Sequence, residues 1–172
     1  DGEDIKFIAR RIMICAAEDV GNADPNALRV ATTASLAAER IGWPESQIIL
    51  AQAAEYVATA PKSNTAVESI EAARKLVQET GDLPIPPYLQ DTHYQAASKL
   101  GRGIGYQYAH IYEEHYAGQP CLPEKLRGIR LYQPSENGYE QKIRERMAHL
   151  TGDLRYTEKE KSLPRDHQQD DR

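Results

Sequence analysis

The sequence predicts an all-α fold, a helical bundle, and three observations carry that prediction. Apolar residues recur at steps of three and four through several segments, as they do along one face of a helix. Prolines, glycines and helix-capping residues separate these segments. Ten alanines fall between Ala27 and Ala60, and such small side chains let two helices lie close together. We therefore expect the alanine-rich part at the centre of the bundle.

Four helices are predicted in the first half of the chain, over about residues 4–20, 25–41, 44–60 and 64–80. Asp24 can accept a hydrogen bond from a free amide of the second helix, and Pro25 suits its first turn. The link after Ile41 is so short that the second and third helices should be antiparallel neighbours. Ser63 or Asn64 should cap the fourth helix. The expected inward residues are Ile5, Ile8, Ile12, Cys15 and Ala16; Ala27, Val30, Ala31, Ala34, Ala37, Ala38 and Ile41; Ile49, Ala53, Tyr56, Val57 and Ala60; and Ala66, Ile70, Ala73 and Val77.

Residues 82–134 differ in composition from the segments before them. Six prolines, five glycines and seven of the ten tyrosines lie there. A short helix is expected over about 92–100, and the rest should be an ordered but irregular connection, because disordered segments are usually poor in aromatic residues. A last helix is predicted over about 135–150, with Tyr139, Ile143, Met147 and Leu150 pointing inward.

Residues 1–150 are therefore predicted to form one helical domain, followed by a charged, disordered tail over residues 151–172. Eleven of the 22 tail residues are charged. A chain of 172 residues suits one domain, which should bury roughly 70% of the surface that its unfolded form exposes. The chain opens with Asp1 instead of methionine, and we expect it to be a piece of a longer protein.

Charge, cysteine content and hydropathy limit the classes of function. The formal net charge of −5 does not by itself indicate a nucleic-acid binder, although another domain could supply a basic surface. Cys15 and Cys121 have no metal-ligand spacing, and Cys15 is expected to be a buried, reduced side chain. No apolar run reaches the ~18 residues of a membrane span, and no secretory signal is visible. We therefore expect a cytoplasmic protein.

Three short motifs invite a chemical interpretation, and a simpler one is preferred for each. His110 and His115 are five residues apart, which turns their rings about 140° from each other on a helix, so surface histidines are preferred over a zinc site. The glycine run 101–105 lacks the lysine and hydroxyl residue of a phosphate-binding loop, so a permissive turn is preferred. Lys62 beside Ser63 lacks an orienting third group for nucleophilic catalysis, so helix capping is preferred.

Six basic residues in the last third of the chain are candidates for contact with DNA. Tyr132 and Tyr139 are interleaved with them, and basic and aromatic side chains together can follow a single strand by charge and base stacking. Glutamates dilute the patch, and Glu140 with Arg144 has the spacing of an ordinary surface pair. A solvated helix face is the preferred interpretation, and DNA contact is the alternative. The six candidates are Lys125, Arg127, Arg130, Lys142, Arg144 and Arg146.

The alanine-rich faces also bear on assembly. Alanine is the best helix former, and this alone could explain its abundance. Faces made of such small side chains form a thin core, however, because they bury little apolar surface unless the helices lie very close together or another subunit covers them. We expect that other copies cover them and that the domain forms oligomers.

Six segments stand out together: Phe7-Ile8-Ala9-Arg10-Arg11, Ala17-Glu18-Asp19-Val20-Gly21-Asn22-Ala23-Asp24-Pro25, Ala58-Thr59-Ala60-Pro61-Lys62-Ser63-Asn64, Gly105-Tyr106-Gln107-Tyr108-Ala109-His110, Leu122-Pro123 and Tyr132-Gln133-Pro134. In this order and at these separations they resemble the C-terminal region of the replication-associated recombination protein A family. Its bacterial members are called RarA or MgsA, and its eukaryotic counterpart is the Werner helicase-interacting protein. The resemblance covers about residues 4–150, and its most specific part is the run from Ala60 to Asn64.

The resemblance implies an AAA+ ATPase, related to clamp-loader subunits, that acts at stalled or damaged replication forks. It implies that this region is an all-helical module, similar to the clamp-loader collar, which holds a homotetramer. It also implies ATP and Mg as cofactors of the longer protein, DNA and single-stranded-DNA-binding protein as its partners, and the nucleoid as its place in the cytoplasm. The ATPase motifs of the family lie upstream, and no Gly-x-x-x-x-Gly-Lys run occurs here. We therefore expect no ATPase activity, cofactor or metal in this piece, and no catalytic residue is assigned.

Two functions follow as hypotheses. The first is homotetramerisation of a RarA/MgsA-type AAA+ ATPase in DNA replication, recombination and repair. The alternative is a DNA- or protein-docking module that is not itself the oligomeriser and that uses the basic region and the tyrosine-rich segment. An independent hydrolase is disfavoured, because no set of nucleophile, base and orienting group is evident.

Overall fold

The computed structural model describes residues 4–90 and 102–153. Within these ranges the chain forms five α-helices and no strand, which confirms the predicted all-α class. None of the described helices is long and apolar enough to cross a bilayer. The helix expected over 92–100 lies outside the described residues, as does the predicted tail from residue 154 onward. The helices are α1 Ile5–Cys15, α2 Asn26–Ile41, α3 Ser46–Thr59, α4 Thr65–Thr80 and α5 Glu140–Thr151.

Helices α1, α2 and α3 pack together and form the core. As predicted, α2 and α3 are joined by a short link and contact each other closely. Asp24 accepts a hydrogen bond from the Asn26 amide at 3.0 Å, which confirms the predicted start signal of α2. The buried apolar residues of this core are Ala9, Ala16, Val20, Ala23, Ala27, Ala31, Ala34, Ala38, Leu50, Ala53 and Val57.

The alanine-rich faces are covered within the chain, which corrects the expectation that other copies cover them. Ala27 and Ala53 have no exposed surface. Ala31 packs in one cluster with Ala16 of the segment after α1 and Val57 of α3. Because methyl side chains let α2 approach its neighbours closely, the residues of one chain are enough to bury the alanine faces. The alanine pattern therefore accounts for packing inside the bundle and does not by itself call for an oligomer.

Several residues expected to point inward lie at the surface. Ile8, Ile41 and Tyr139 are exposed, whereas Ala9 and Leu50 are buried. Ala9 is buried instead of Ile8, and Leu50 instead of Ile49, each one position further along the helix than predicted, whereas Ala53 and Val57 are buried as predicted. Cys15, expected to be buried, is half-buried and free.

Helix α4 departs most from its predicted packing. Ile70 is 52% exposed and Val77 is 58% exposed, although both belong to the face expected to point inward. Helix α4 packs on the segment Ala16–Ala23, and its one buried residue is Thr65 at its first position. We call the residues Ala66, Ile70, Ala73 and Val77 the α4 face.

The ends of two helices also differ from the predicted ones. After Cys15 the backbone widens into a π-helical turn over Ala16–Val20 and a 3₁₀ turn over Gly21–Ala23. In this stretch the Asp19 carbonyl accepts from the Ser63 amide at 2.8 Å, so a tertiary contact takes a carbonyl that a continuing helix would use. Helix α5 begins at Glu140 instead of Ser135, because Gly138 takes a positive φ of 54° and the Tyr139 amide donates to Ala23 instead of to a helical carbonyl.

The described part of the segment 82–134 is irregular, as predicted. It contains short 3₁₀ turns over Pro87–Leu89, Ala109–Ile111, Glu113–His115 and Glu124–Leu126. Side chains tie it together: the Tyr88 hydroxyl donates to the Pro120 carbonyl at 2.7 Å, and the Gln119 amide donates to the Gly105 carbonyl at 2.9 Å.

Candidate functional site

A buried carboxylate, Glu140, joins the start of α5 to the connection between α3 and α4. It has no exposed surface. One carboxylate oxygen accepts from the Thr65 hydroxyl and from the Tyr132 hydroxyl at 2.9 Å. The other oxygen accepts from the Ser63 hydroxyl at 2.7 Å and from the Ser135 amide at 2.8 Å. Four donors therefore compensate for the loss of water around this charge.

The hydrogen bonds decide the protonation state of Glu140. Burial alone raises the pKa of a carboxyl group, but the hydrogen bonds from Ser135, Thr65 and Ser63 together outweigh it and leave the pKa of Glu140 below its ordinary value. Burial also raises the pKa of Tyr132 to about 12; the Asn22 amide lowers it, and the hydrogen bond to Glu140 raises it further. Near neutral pH the carboxylate is thus ionised and the phenol keeps its proton. We call these five residues, Ser63, Thr65, Tyr132, Ser135 and Glu140, the carboxylate cluster.

The prediction that Glu140 and Arg144 form an ordinary surface pair is wrong. Glu140 points into the carboxylate cluster, whereas Arg144 is only 13% exposed and binds Glu136 at 2.9 Å. Spacing on one helix gives no information about a partner 77 residues away, such as Ser63. The available signal was weak: two of the donors, Ser63 and Tyr132, lie in segments on which the family resemblance rests.

The backbone beside the carboxylate cluster is tightly packed. The Tyr139 amide donates to the Ala23 carbonyl at 2.7 Å, and the Asn137 side chain donates to the Lys62 carbonyl at 2.8 Å. A Cβ atom added at Gly138 would clash with the Ala23 carbonyl oxygen. Three distant segments, around residues 23, 62 and 138, therefore meet in one place.

Capping of α4 was predicted for Ser63 or Asn64; Ser63 performs it, whereas the Asn64 side chain makes no capping hydrogen bond. The Ser63 hydroxyl accepts from the Thr65 amide at 3.3 Å while donating to Glu140. The Lys62 ammonium donates to the carbonyls of Val57, Ala58 and Ala60 at 2.6–3.1 Å, which satisfies the C-terminal end of α3. These residues hold the α3–α4 connection in place, and their hydrogen bonds account for the polar groups without a catalytic role.

An open groove of about 770 Å³ lies beside this connection, between α1 and α3. Its apolar floor comes from both helices, and its rim carries charged and polar side chains. Cys15 borders it with its free thiol. We call it the α1–α3 groove. It is lined by Arg11, Ile12, Cys15, Asp19, Ala54, Val57, Ala58, Lys62, Ser63 and Asn64.

Large apolar side chains are exposed at both ends of the bundle. The α4 face is exposed at the end of the bundle where α4 begins, next to the α1–α3 groove. At the opposite end, around the α2–α3 link, Trp43 is 67% exposed and Ile48 is 73% exposed, with Ile41 beside them in the chain. Exposed apolar groups of this size commonly mark interaction surfaces.

The six basic candidates for DNA contact are spread over the last third of the described chain. All four arginines of the set lie beside carboxylates: Arg127 binds Glu124 at 2.9 Å, Arg130 binds Asp153 at 2.7 Å, Arg144 binds Glu136 at 2.9 Å and Arg146 lies 3.4 Å from Glu114. Lys125 is exposed, and so is Lys142, whose ammonium lies 5.9 Å from the centre of the Tyr139 ring. Lys142 and Tyr139 thus present the basic and aromatic pair that the sequence suggested.

The two histidines weighed as a zinc site lie on short 3₁₀ turns and not on an α-helix. The rings of His110 and His115 are 5.3 Å apart and tilted by 55°, and the His115 ring contacts the His110 carbonyl at 3.3 Å. Among residues 4–90 and 102–153, no three potential metal ligands come together.

Comparison with known proteins gives one consistent family. The family described as MgsA AAA+ ATPase C terminal matches residues 1–151. The chain is 42% identical over 147 residues to replication-associated recombination protein A of Coxiella burnetii, covering 85% of this chain and 33% of that protein. It is 38% identical over 150 residues to the protein of the same name in Escherichia coli K12, covering 87% and 34%. It is 30% identical over 128 residues to ATPase WRNIP1 of Dictyostelium discoideum, covering 74% and 15%. The chain thus spans about a third of the length of the bacterial relatives, and the resemblance found from the sequence segments is confirmed.

Proposed function

Because this chain belongs to the MgsA AAA+ ATPase C-terminal family, we propose that it is the homotetramerisation module of an ATPase that acts in replication-associated recombination. The two bacterial relatives are about three times longer, so the activity belongs to a longer protein. The module's task is to hold several copies of that protein together.

The exposed α4 face is the observation that carries this proposal. Ile70 and Val77 lie on one side of a helix and are more than half exposed. Full burial of a branched apolar side chain is favourable by about 1.5–3 kcal/mol, so a surface that covers both residues gains stability from them. The apolar side chains around Trp43 and Ile48 supply a second surface at the other end of the bundle, and two surfaces are what a tetramer built from dimers requires.

Joining four ATPase modules gives the assembly its function. Covalent attachment to a tetrameric module raises the local concentration of the modules around one DNA substrate, so that several can hold it at once. In this proposal the longer protein binds ATP with Mg, acts on DNA at stalled replication forks in the nucleoid, and contacts single-stranded-DNA-binding protein.

Light scattering after size exclusion tests the proposal directly. The chain at high micromolar concentration should have four times the mass of one copy. Ile70→Glu with Val77→Glu should reduce that mass, because two charges then replace the centre of the α4 face. The matched control is Ala72→Glu with Gln78→Glu, at two exposed positions of the same helix outside the α4 face; it should leave the mass unchanged. A monomeric wild-type chain would contradict the proposal.

Docking of DNA is the second candidate function, and the exposed pair Lys142 and Tyr139 favours it. A lysine near an aromatic ring can bind a phosphate while the ring stacks on a base. Such binding should weaken steeply with salt, because counterions are released from the strand. Lys125→Glu with Lys142→Glu tests it better than changes to Arg144, which is paired with Glu136 and nearly buried. Single-strand binding that stays the same in this variant argues against docking at this site.

A further inference from the structure

The dipeptide Asn137-Gly138 lies where three distant segments of the chain meet, and its chemistry is reactive. The chain has four asparagines, and Asn137 is the only one that glycine follows. The side-chain amide of an asparagine can be attacked by the backbone nitrogen of the next residue. Glycine favours this attack, because no Cβ atom hinders the approach of its nitrogen. The sequence therefore contains one position that is suited to spontaneous loss of an amide group.

The structure leaves the reacting groups accessible. Asn137 and Gly138 are both exposed to solvent. In the part of the chain that the structure describes, the Gly138 amide donates to no acceptor. The amides on either side of it are engaged, since Asn137 donates to the Ser135 hydroxyl at 3.1 Å and Tyr139 donates to the Ala23 carbonyl at 2.7 Å. The nitrogen that attacks is therefore not held by another contact.

We propose that Asn137 undergoes spontaneous deamidation, that its hydrogen bond to Lys62 slows the reaction, and that the reaction abolishes this bond. The Gly138 nitrogen forms a bond to the Cγ atom of Asn137, and the bond between Cγ and Nδ2 breaks. The amide proton of Gly138 leaves with Nδ2 as ammonia, and a cyclic imide remains. Water then opens the ring at either carbonyl, which gives aspartate or isoaspartate at position 137. This modification concerns the integrity of the module and goes beyond its proposed role in assembly.

The native contacts restrain the reaction. The Nδ2 atom of Asn137 donates to the Lys62 carbonyl at 2.8 Å, and Nδ2 is the leaving group, so this hydrogen bond has to open before ammonia departs. The Asn137 carbonyl also accepts from the Glu140 amide at 3.2 Å, which orders the backbone around the site. Local opening is thus part of the reaction in the folded chain. One hydrogen bond of ordinary strength slows the reaction about fivefold relative to the unfolded chain.

Neither product can restore the contact. A carboxylate has no proton to donate, so an oxygen then faces the Lys62 carbonyl where the amide donor was, and the two repel each other. Isoaspartate also lengthens the backbone by one methylene group directly before Gly138. Space is short there, because a Cβ atom added at Gly138 would already clash with the Ala23 carbonyl oxygen. Deamidation therefore loosens the junction that holds the start of α5 to the α3–α4 connection.

Peptide mapping by mass spectrometry tests the site after the full chain has been kept in mildly alkaline buffer. Position 137 should show the mass change from an amide to an acid before Asn22, Asn26 or Asn64 does. In guanidinium the same position should convert about fivefold faster. The proposed site is wrong if position 137 stays unchanged or if another asparagine converts first. Equal rates with and without guanidinium would contradict the restraint by Lys62.

A substitution measures the effect of the product on the fold. Asn137→Asp should reduce the ratio of folded to unfolded chain about fivefold or more, seen as a lower urea midpoint. Asn26→Asp is the matched control: within the described chain the Asn26 side chain accepts a hydrogen bond from Arg29 at 3.3 Å and donates none, and a carboxylate can accept it equally. The control should not lower the midpoint. Equal midpoints for the two variants would overturn the proposed loss of the anchor.

Discussion

Ser63 and Glu140 lie 77 residues apart in the sequence, and the Ser63 hydroxyl donates a hydrogen bond of 2.7 Å to the Glu140 carboxylate. The contact ties the start of α4 to the start of α5. Tyr132 and Ser135 complete the same cluster from the irregular segment before α5. A single buried charge therefore sets the positions of three parts of the chain around the bundle.

Replacing Glu140 by glutamine should destabilise the fold by about 2–3 kcal/mol, because hydrogen bonds to a buried charge are lost and a new amide donor faces other donors. Urea unfolding followed by circular dichroism measures the change as a lower midpoint with an unchanged slope. Glu145→Gln, on the exposed side of the same helix, is the matched control and should change stability by less than about 0.5 kcal/mol. Equal effects of the two substitutions would contradict the role of the carboxylate cluster.

Acid should weaken the fold through Glu140. Its pKa in the folded chain is lower than the ordinary value of 4.5, so the ionised carboxylate stabilises the fold fully above that value. The contribution is lost as the pH falls through the lower, folded pKa. Urea midpoints measured from neutral pH downward should therefore fall more for the wild type than for Glu140→Gln. Parallel curves would show that other carboxylates are responsible for the acid sensitivity.

Alkali should weaken the fold through Tyr132. Its pKa is raised from 10.0 to about 12, so the unfolded chain loses the phenolic proton first. The stability it contributes is complete below the unfolded pKa and is lost as the pH rises through the folded one. Tyr132→Phe should cost about 1 kcal/mol at neutral pH and should flatten the decline of the urea midpoint above pH 10. If the urea midpoint of the wild type falls no more above pH 10 than that of the variant, the result argues against a raised pKa of Tyr132.

Gly138→Ala should be strongly destabilising, by about 3 kcal/mol or more, since it combines a positive φ with an overlap. The added methyl meets the Ala23 carbonyl and lies 3.0 Å from Pro61 Cβ. Gly128→Ala is the matched control, because Gly128 also has a positive φ, 83°, but has no atom near its missing Cβ. It should cost about 1–2 kcal/mol from backbone strain alone. Thermal unfolding of both variants gives the comparison, and similar melting temperatures would show that the close approach at Gly138 is unimportant.

Local sequence patterns were sufficient to predict the helices but not the tertiary contacts that the helices make. The buried faces of α2 and the antiparallel pairing of α2 with α3 follow from spacing and from the short link between them, so both could be predicted. The same periodicity misplaced the α4 face, because an apolar stripe shows that a helix has a side to cover and does not show what covers it. Glu140 was taken for a surface residue for a related reason: two of its four donors, Ser63 and Thr65, lie 77 and 75 residues away in the sequence.

The amino-acid sequence by itself determined the all-α class, the approximate helices and the family, since caps, breakers, periodicity and short motifs all act or are recognised over a few residues. Only the tertiary structure decided that the alanine faces close within one chain, that Glu140 is the buried centre of a cluster, and that the α4 face lies open beside a groove. These outcomes depend on which distant segments meet, and burial and hydrogen bonding become specific only when those segments are placed together in space.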